Sequence, residues 1–367
     1  MLFPISKQDT AIMKGLAICA MLFHHLYCFT PIWADPYEGA LLWLGELGKV
    51  CVSMFLFCSG YGLAVQYEKV VGLKCTMKYV VKRFFSFYVN YWAIFAVFVP
   101  ITVFVFHRPL AAAYGDNANV CGGLALDILG VQGFSSYNIT WWFNKLIIIL
   151  WLLFPFIYRS AKEIPLLTLL GSLIVARCWN LVAGHPSFGN MHILQMAFVF
   201  GILWQTTDLK SNRIAVSLKE HPILFSFLSV CLVAFFVYMR MRPVIPHWSG
   251  LRMDAFLTCS ICLFVVSSIK DGSWLATGLS FLGKHSGNIY LIHSFFNSYW
   301  HFEWLHSSQF MRSGVNFFVL LGLSLMASVL QEYLKQRIGV YSLTSKVTGR
   351  LNIVNTKNKS NYGNPIQ

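Results

Sequence analysis

The chain reads as an all-α integral membrane protein, a bundle of about ten transmembrane helices with both termini cytoplasmic. Three observations predict this. Of 367 residues, 57% are hydrophobic and 11% charged, where soluble domains carry roughly 25% charged residues. Apolar runs long enough to cross roughly 30 Å of hydrocarbon occur ten times, near 13–32, 48–67, 84–106, 141–158, 164–182, 191–207, 222–239, 253–269, 286–304 and 314–333. With the N-terminus inside, twenty of the 28 basic and seven of the 14 acidic residues fall on the cytoplasmic side, a net +13 against +1 outside. That bias obeys the positive-inside rule, and one span more or fewer would scramble it.

Each run has its own punctuation. The first carries Lys14, His24 and His25 in place of a basic n-region and a small-residue cleavage site, so it reads as a permanent span. The third and fourth are joined by a long outer loop, 107–140, with Gly115, Gly122, Gly123 and Gly133. Arg177 and the Gly184–Gly189 turn interrupt the fifth and sixth, and 240–252, MRMRPVIPHWSGL, is a second outer segment. The chain divides into a membrane domain, 1–340, and a polar, loosely ordered cytosolic tail, 341–367. No internal repeat is visible, which weighs against a transporter built from inverted repeats.

The net charge of +14 belongs to the membrane face, so no nucleic-acid partner is expected. Of ten cysteines, Cys259 and Cys262 form one C-x-x-C inside an apolar run without a second pair. A zinc site needs four ligands at recognisable spacing, and no metal is expected.

Polar residues inside apolar runs are functional candidates. Lys14 and His25 are eleven residues apart, close to a whole number of turns, and so share one stripe of a helix, roughly 16 Å apart along its axis. His25 is either an interhelical hydrogen bonder or a neutral imidazole able to take a proton from a hydroxyl; His24, about 100° away, reads as structural. Lys82 and Arg83, in KYVVKRFFSFYVNYW, are either interface anchors or a phosphate-docking pair beside Lys14. Ser59 and Gly60 allow close helix packing or a backbone approach to a cofactor. Trp141 and Trp142 form an aromatic belt or border a sugar. His293, in LGKHSGNIYLIH, belongs to a polar cluster with His285, Ser286, Asn288 and Tyr290, or is a second histidine at the reaction centre. No carboxylate is placed to orient His25; Asp35 and Glu46, nearest in sequence, read as solvated.

Taken in order, these segments resemble the membrane acyltransferase-3 family from residue 9 to about 335. Lys14-x10-His25 resembles its basic-residue-x10-His signature, with Lys for the commoner Arg. Phe55, Phe57, Ser59, Gly60 and Tyr61 resemble an F-F-x-x-S-G-F element. KRFFSFYVNYW resembles R-x-x-R-I-x-P-x-Y-W, with Ser86 for the second Arg, and LGKHSGNIYLIH resembles L-G-K-x-S-x-x-x-Y-L-I-H.

The resemblance implies a multi-pass enzyme of the inner, cytoplasmic membrane that moves an acyl group, most often acetyl, from cytoplasmic acyl-CoA to a sugar hydroxyl. The acceptor would be an envelope or exported polysaccharide or glycolipid, in some cases lipid-linked. His25 would serve as general base or as a covalent relay. Lys14, Lys82 and Arg83 would hold the CoA phosphates, with Ser59 and Gly60 near the donor and Trp141, Trp142 and His293 near the acceptor. The rival class is a multi-span transporter or exporter, which would move its substrate without consuming a thioester.

Overall fold

The computed structural model describes residues 5–28, 40–68, 70, 72–115, 117–207, 217–218, 220–242, 250–300, 302, 305 and 314–350. Every regular element among them is helical. Helix α1 (Lys7–Cys28) is followed by α2 (Ala40–Gly48), α3 (Cys51–Tyr67) and α4 (Leu73–Phe104). The outer segment carries α5 (Ala111–Tyr114) and α6 (Asn117–Ile128). Then come α7 (Trp142–Glu163), α8 (Pro165–Ala183), α9 (Met191–Thr206) and α10 (Pro222–Met241). The last are α11 (Asp254–Ser268), α12 (Trp274–Ser294), α13 (Val315–Arg337) and α14 (Val340–Arg350).

Each of the ten predicted runs falls on a helix. Among the described residues, seven helical stretches are long and apolar enough to cross a membrane: Lys7–Cys28, Leu41–Tyr67, Cys75–Phe104, Ile139–Glu163, Pro165–Ala183, Pro222–Met241 and Val315–Arg337. The other three runs coincide with α9 and α11, of 16 and 15 residues, and with α12, of 21. Helices α8 and α10 leave Leu166, Leu181, Val182, Ile223 and Phe227 exposed, a surface suited to hydrocarbon rather than water.

The boundaries differ from expectation for local reasons. Helix α1 starts at Lys7 because Ser6 and Asp9 cap each other: Asp9 N–H donates to Ser6 Oγ (2.9 Å) and Ser6 N–H to Asp9 Oδ2 (2.8 Å). The ninth run does not begin at Ser286. Its helix starts twelve residues earlier, at Trp274, where Ser273 Oγ accepts the Ala276 N–H (3.2 Å). The polar KHSGN segment stays helical because its side chains find partners on α13: His285 Nδ1 bonds Ser328 Oγ (2.8 Å) and Asn288 donates to Glu332 (2.7 Å).

The predicted 107–140 loop is a folded cap. Asp127 organises it, accepting hydrogen bonds from Ser136 Oγ (2.5 Å), the Tyr137 N–H (2.6 Å) and the Tyr114 hydroxyl. Burial pushes its carboxyl upward, and these three donors oppose the shift. Arg108 lies over the rings of Tyr137 and Tyr299, at 4.4 and 4.0 Å, and clips the cap to the end of α12.

The tail is likewise ordered over 341–350, where α14 packs on α13 and α4. The Tyr341 hydroxyl donates to Glu332, which also pairs with Lys335, and Lys335 Nζ reaches Asn90 Oδ1 (2.5 Å). Residues 351–367, Asp35 and most of the 240–252 segment lie outside the described residues.

Helix α1 runs along α12, and α3 along α9. Glycines let the backbones meet: a Cβ at Gly15 would overlap the Leu279 carbonyl, and one at Gly283 the Ala11 carbonyl. Gly60 and Gly201 do the same for α3 and α9, against Phe198 and Phe57. Small residues at crossings are how apolar helices gain contact without a hydrophobic driving force.

Candidate active site

Lys14 and His25 sit near opposite ends of α1, and each lines a different cavity. The larger, about 730 Å³, holds Lys14, Ser59 and Gln66, Arg83 and Phe87, Asn144 and Trp151, and Ser286. The smaller, about 110 Å³, holds His24, His25, Lys49, Cys51, Thr140 and Trp142. Phe55, Phe143 and Tyr290 line both. They form a shared wall: the Phe143 and Tyr290 rings meet at 5.6 Å and 72°, and the Tyr290 hydroxyl donates to the Thr140 carbonyl (2.6 Å).

In the larger cavity the Arg83 guanidinium lies 4.5 Å over the Trp151 ring, whose N–H donates to Ser59 Oγ (3.0 Å). Arg83 Nε is buried and makes no hydrogen bond among the described residues. Neither amide atom of Asn144, a residue only 1% exposed, is hydrogen-bonded there. Leaving such a group unpaired costs about 1–3 kcal/mol, so Asn144 and Arg83 are the polar groups here with most to gain from a ligand.

The smaller cavity is built around imidazoles. The His25 ring is 4.8 Å from that of His293 and 5.6 Å from that of His24, both near-perpendicular. A carbonyl can only accept, so the His24 Nδ1–H donates to Gly45 O (2.8 Å) and pins α2 to α1. By the same argument the His293 Nδ1–H donates to Tyr290 O (2.9 Å), leaving Nε2 as the bare lone pair. That Nε2 is buried and unbonded among the described residues.

Some predicted partners are not brought together. Lys82, next to Arg83, is exposed and lines neither cavity, because adjacent helical residues point about 100° apart. Gly60 is committed to the α9 contact, while Gly62 lines the larger cavity. Trp141 is a core residue, 2% exposed, with its N–H on Leu291 O (3.1 Å) and its ring against Tyr91 and Phe95. Trp142 is the one at the His25 cavity, stacked on Phe134 at 5.5 Å.

Sequence reasoning missed Lys49, Asn144 and a buried ion pair, Arg240 Nε to Asp254 Oδ1 at 2.6 Å. The available signal was the same for all three: a polar residue at the edge of an apolar run. Arg240 also donates to the Glu46 carbonyl (2.9 Å), a second clamp on α2; the Glu46 side chain is exposed, but on a helix within the candidate span Leu41–Tyr67 rather than in an outer loop. Among the described residues, no three His, Cys, Asp or Glu side chains converge as a metal site would require.

Among the described residues, an all-helical bundle with seven membrane-length helices, and a histidine-lined cavity opposite a basic one, defines a multi-pass membrane protein with a buried polar site. The family model described as an acyltransferase domain matches residues 11–331. The chain belongs to this acyltransferase-3 family and is a membrane acyltransferase. No curated protein and no solved structure matches it.

Proposed function

We propose that the protein is an inner-membrane O-acyltransferase, moving an acyl group, acetyl by default, from cytoplasmic acyl-CoA to a sugar hydroxyl of an envelope or exported polysaccharide or glycolipid. One observation carries this reading: two cavities on one helix, cationic at one end and imidazole-lined at the other, meeting at Phe55, Phe143 and Tyr290. A ten-span arrangement with both termini inside puts the Lys14 cavity on the side where CoA is found. Lys14 and Arg83 then take CoA phosphates, and the pantetheine arm runs along Ser59 and Asn144 toward the wall.

From the opposite cavity the acceptor presents its hydroxyl to His25, with Trp142 as the stacking surface. His25 removes the hydroxyl proton as the oxygen bonds to the acyl carbon, the C–S bond breaks, and CoA departs as a thiolate that takes up a proton. In the relay version the acyl group first bonds to the His25 imidazole and is then passed to the same hydroxyl. His293 lines neither cavity; its ring packs edge-on against His25 at 4.8 Å, so it would act on the acceptor only by positioning that imidazole.

The test is thioester consumption by the purified chain in nanodiscs, using radiolabelled acetyl-CoA and sugar acceptors. Label transferred to a sugar supports the reading. Sugar movement across the bilayer without loss of thioester sinks it in favour of an exporter.

Two variants probe the donor cavity. Arg83→Ala is expected to raise KM for acetyl-CoA about 10-fold or more, the worth of a charge-assisted bond, while Lys82→Ala stays within about twofold. Equal effects would place the phosphates at the rim instead. Asn144→Leu, which keeps the volume and removes both amide atoms, should raise the same KM about 5–10-fold; an unchanged KM would show that the amide does not meet the donor.

A further inference from the structure

Lys49 has no role in what precedes. It is half-buried and lines the cavity of His25, inside the candidate span Leu41–Tyr67. Its ammonium makes no hydrogen bond and no ion pair among the described residues; the buried Asp254 carboxylate, near enough to feel its charge, bonds Arg240 through Oδ1 and leaves Oδ2 unbonded there. Glu46, three residues earlier, is exposed and is not paired with it.

Lys49 also stands where the span is broken. Between α2 and α3 the backbone bonds shorten to three-residue spacing: Lys49 N–H to Glu46 O (3.3 Å), Val50 N–H to Leu47 O (3.1 Å) and Val52 N–H to Lys49 O (3.3 Å). Irregular backbone within a membrane span is tolerated where it is buried in protein or lines a cavity. Here the break is clamped from three directions. His24 holds Gly45 O, Arg240 holds Glu46 O, and Gly48 packs against the Ala20 carbonyl. The fold thus fixes the position of a cation that no carboxylate bonds directly among the described residues, beside the histidine proposed to act on the acceptor.

We infer that Lys49 recognises an anionic group on the acceptor, so that the substrate class is a negatively charged sugar: a sugar carboxylate or a sugar-linked phosphate. This rests on the acceptor side of the proposed function. A carboxylate or phosphate at Lys49 gains a charge-assisted hydrogen bond and sets the register of the sugar against Trp142 and His25. Neutral sugars lose that contact, and the cation stays unpaired.

The experiment is equilibrium dialysis of radiolabelled methyl glucoside, methyl glucuronide and glucose 1-phosphate against the full chain in nanodiscs, at low and high salt. It needs no acyl donor. The expected result is that a charged probe binds about 10-fold tighter than the neutral one, that high salt erodes the difference, that Lys49→Gln removes it and that Lys49→Arg restores it. Glucuronide ahead of the phosphate would identify an acidic sugar, and the reverse a phosphate-linked one. Equal binding of all three probes, or a charge preference that survives in Lys49→Gln, would overturn the inference. A wild type that prefers charged probes yet consumes no acetyl-CoA keeps Lys49 as the anion reader and removes the acyl-CoA reading.

Discussion

His25→Ala is expected to lower acyl transfer about 10²–10⁴-fold, the range that a positioned general base contributes. The reason is geometric. His25 lies at the cavity opposite Lys14 on the same helix, its ring among those of His24 and His293. Of the three, His24 is bound to Gly45 O and buried, a contact that shapes α2. His293 holds its Nδ1 proton on the Tyr290 carbonyl. His25→Ala should therefore show that loss of transfer while the protein still elutes as a single species. His293→Gln, which removes the ring packed against His25, should cost about 10-fold and act mainly on kcat, through the position of the His25 imidazole. The check is transferred label per minute, with size-exclusion profiles alongside. Near-wild-type transfer by His25→Ala would remove it from the chemistry. Trapping of labelled acetyl on the wild-type protein, absent in the mutant, would favour the relay over direct transfer.

Gly283→Val is expected to be the most damaging substitution for the fold. A Cβ there would overlap the Ala11 carbonyl, and main chain cannot rotate away as a side chain can. Helices α1 and α12 would have to separate along their contact, with Gly15 facing Leu279 one turn along the same crossing. Overpacking costs about 1–3 kcal/mol and sometimes more. A backbone clash belongs at the upper end. Gly278→Val on the same helix is the control, since a Cβ there meets nothing within 4 Å. Thermal unfolding followed by size exclusion should show Gly283→Val losing its monodisperse peak about 10 °C or more below wild type, with Gly278→Val within a few degrees. Similar behaviour of the two would mean that the helices adjust more freely than their backbone contact implies. Activity should fall with stability, because this crossing holds Lys14 on one helix and Tyr290 and His293 on the other.

The helical architecture and the principal stripe of the site were legible because both are local properties. Ten apolar runs coincide with ten helices, and eleven-residue spacing puts Lys14 and His25 in one sector of α1 whatever surrounds it. The missed features are non-local. The polar KHSGN segment looked like a membrane entry point and is mid-helix, because Ser328 and Glu332, more than forty residues away, supply its partners. The 107–140 segment looked like a loop because its organiser, Asp127, acts through residues 9 to 13 positions away that no periodicity links to it.

The sequence by itself determined the class of protein, the helices and the axial spacing of cation and imidazole, since hydropathy and helical pitch need no knowledge of neighbours. Tertiary structure decided between adjacent candidates: Arg83 over Lys82, Trp142 over Trp141, Gly62 over Gly60 at the cavity, and Lys49 as the cation beside His25. The physical reason is that neighbouring residues on a helix differ by about 100°. Which of those directions faces the interior is set by the packing of the other helices.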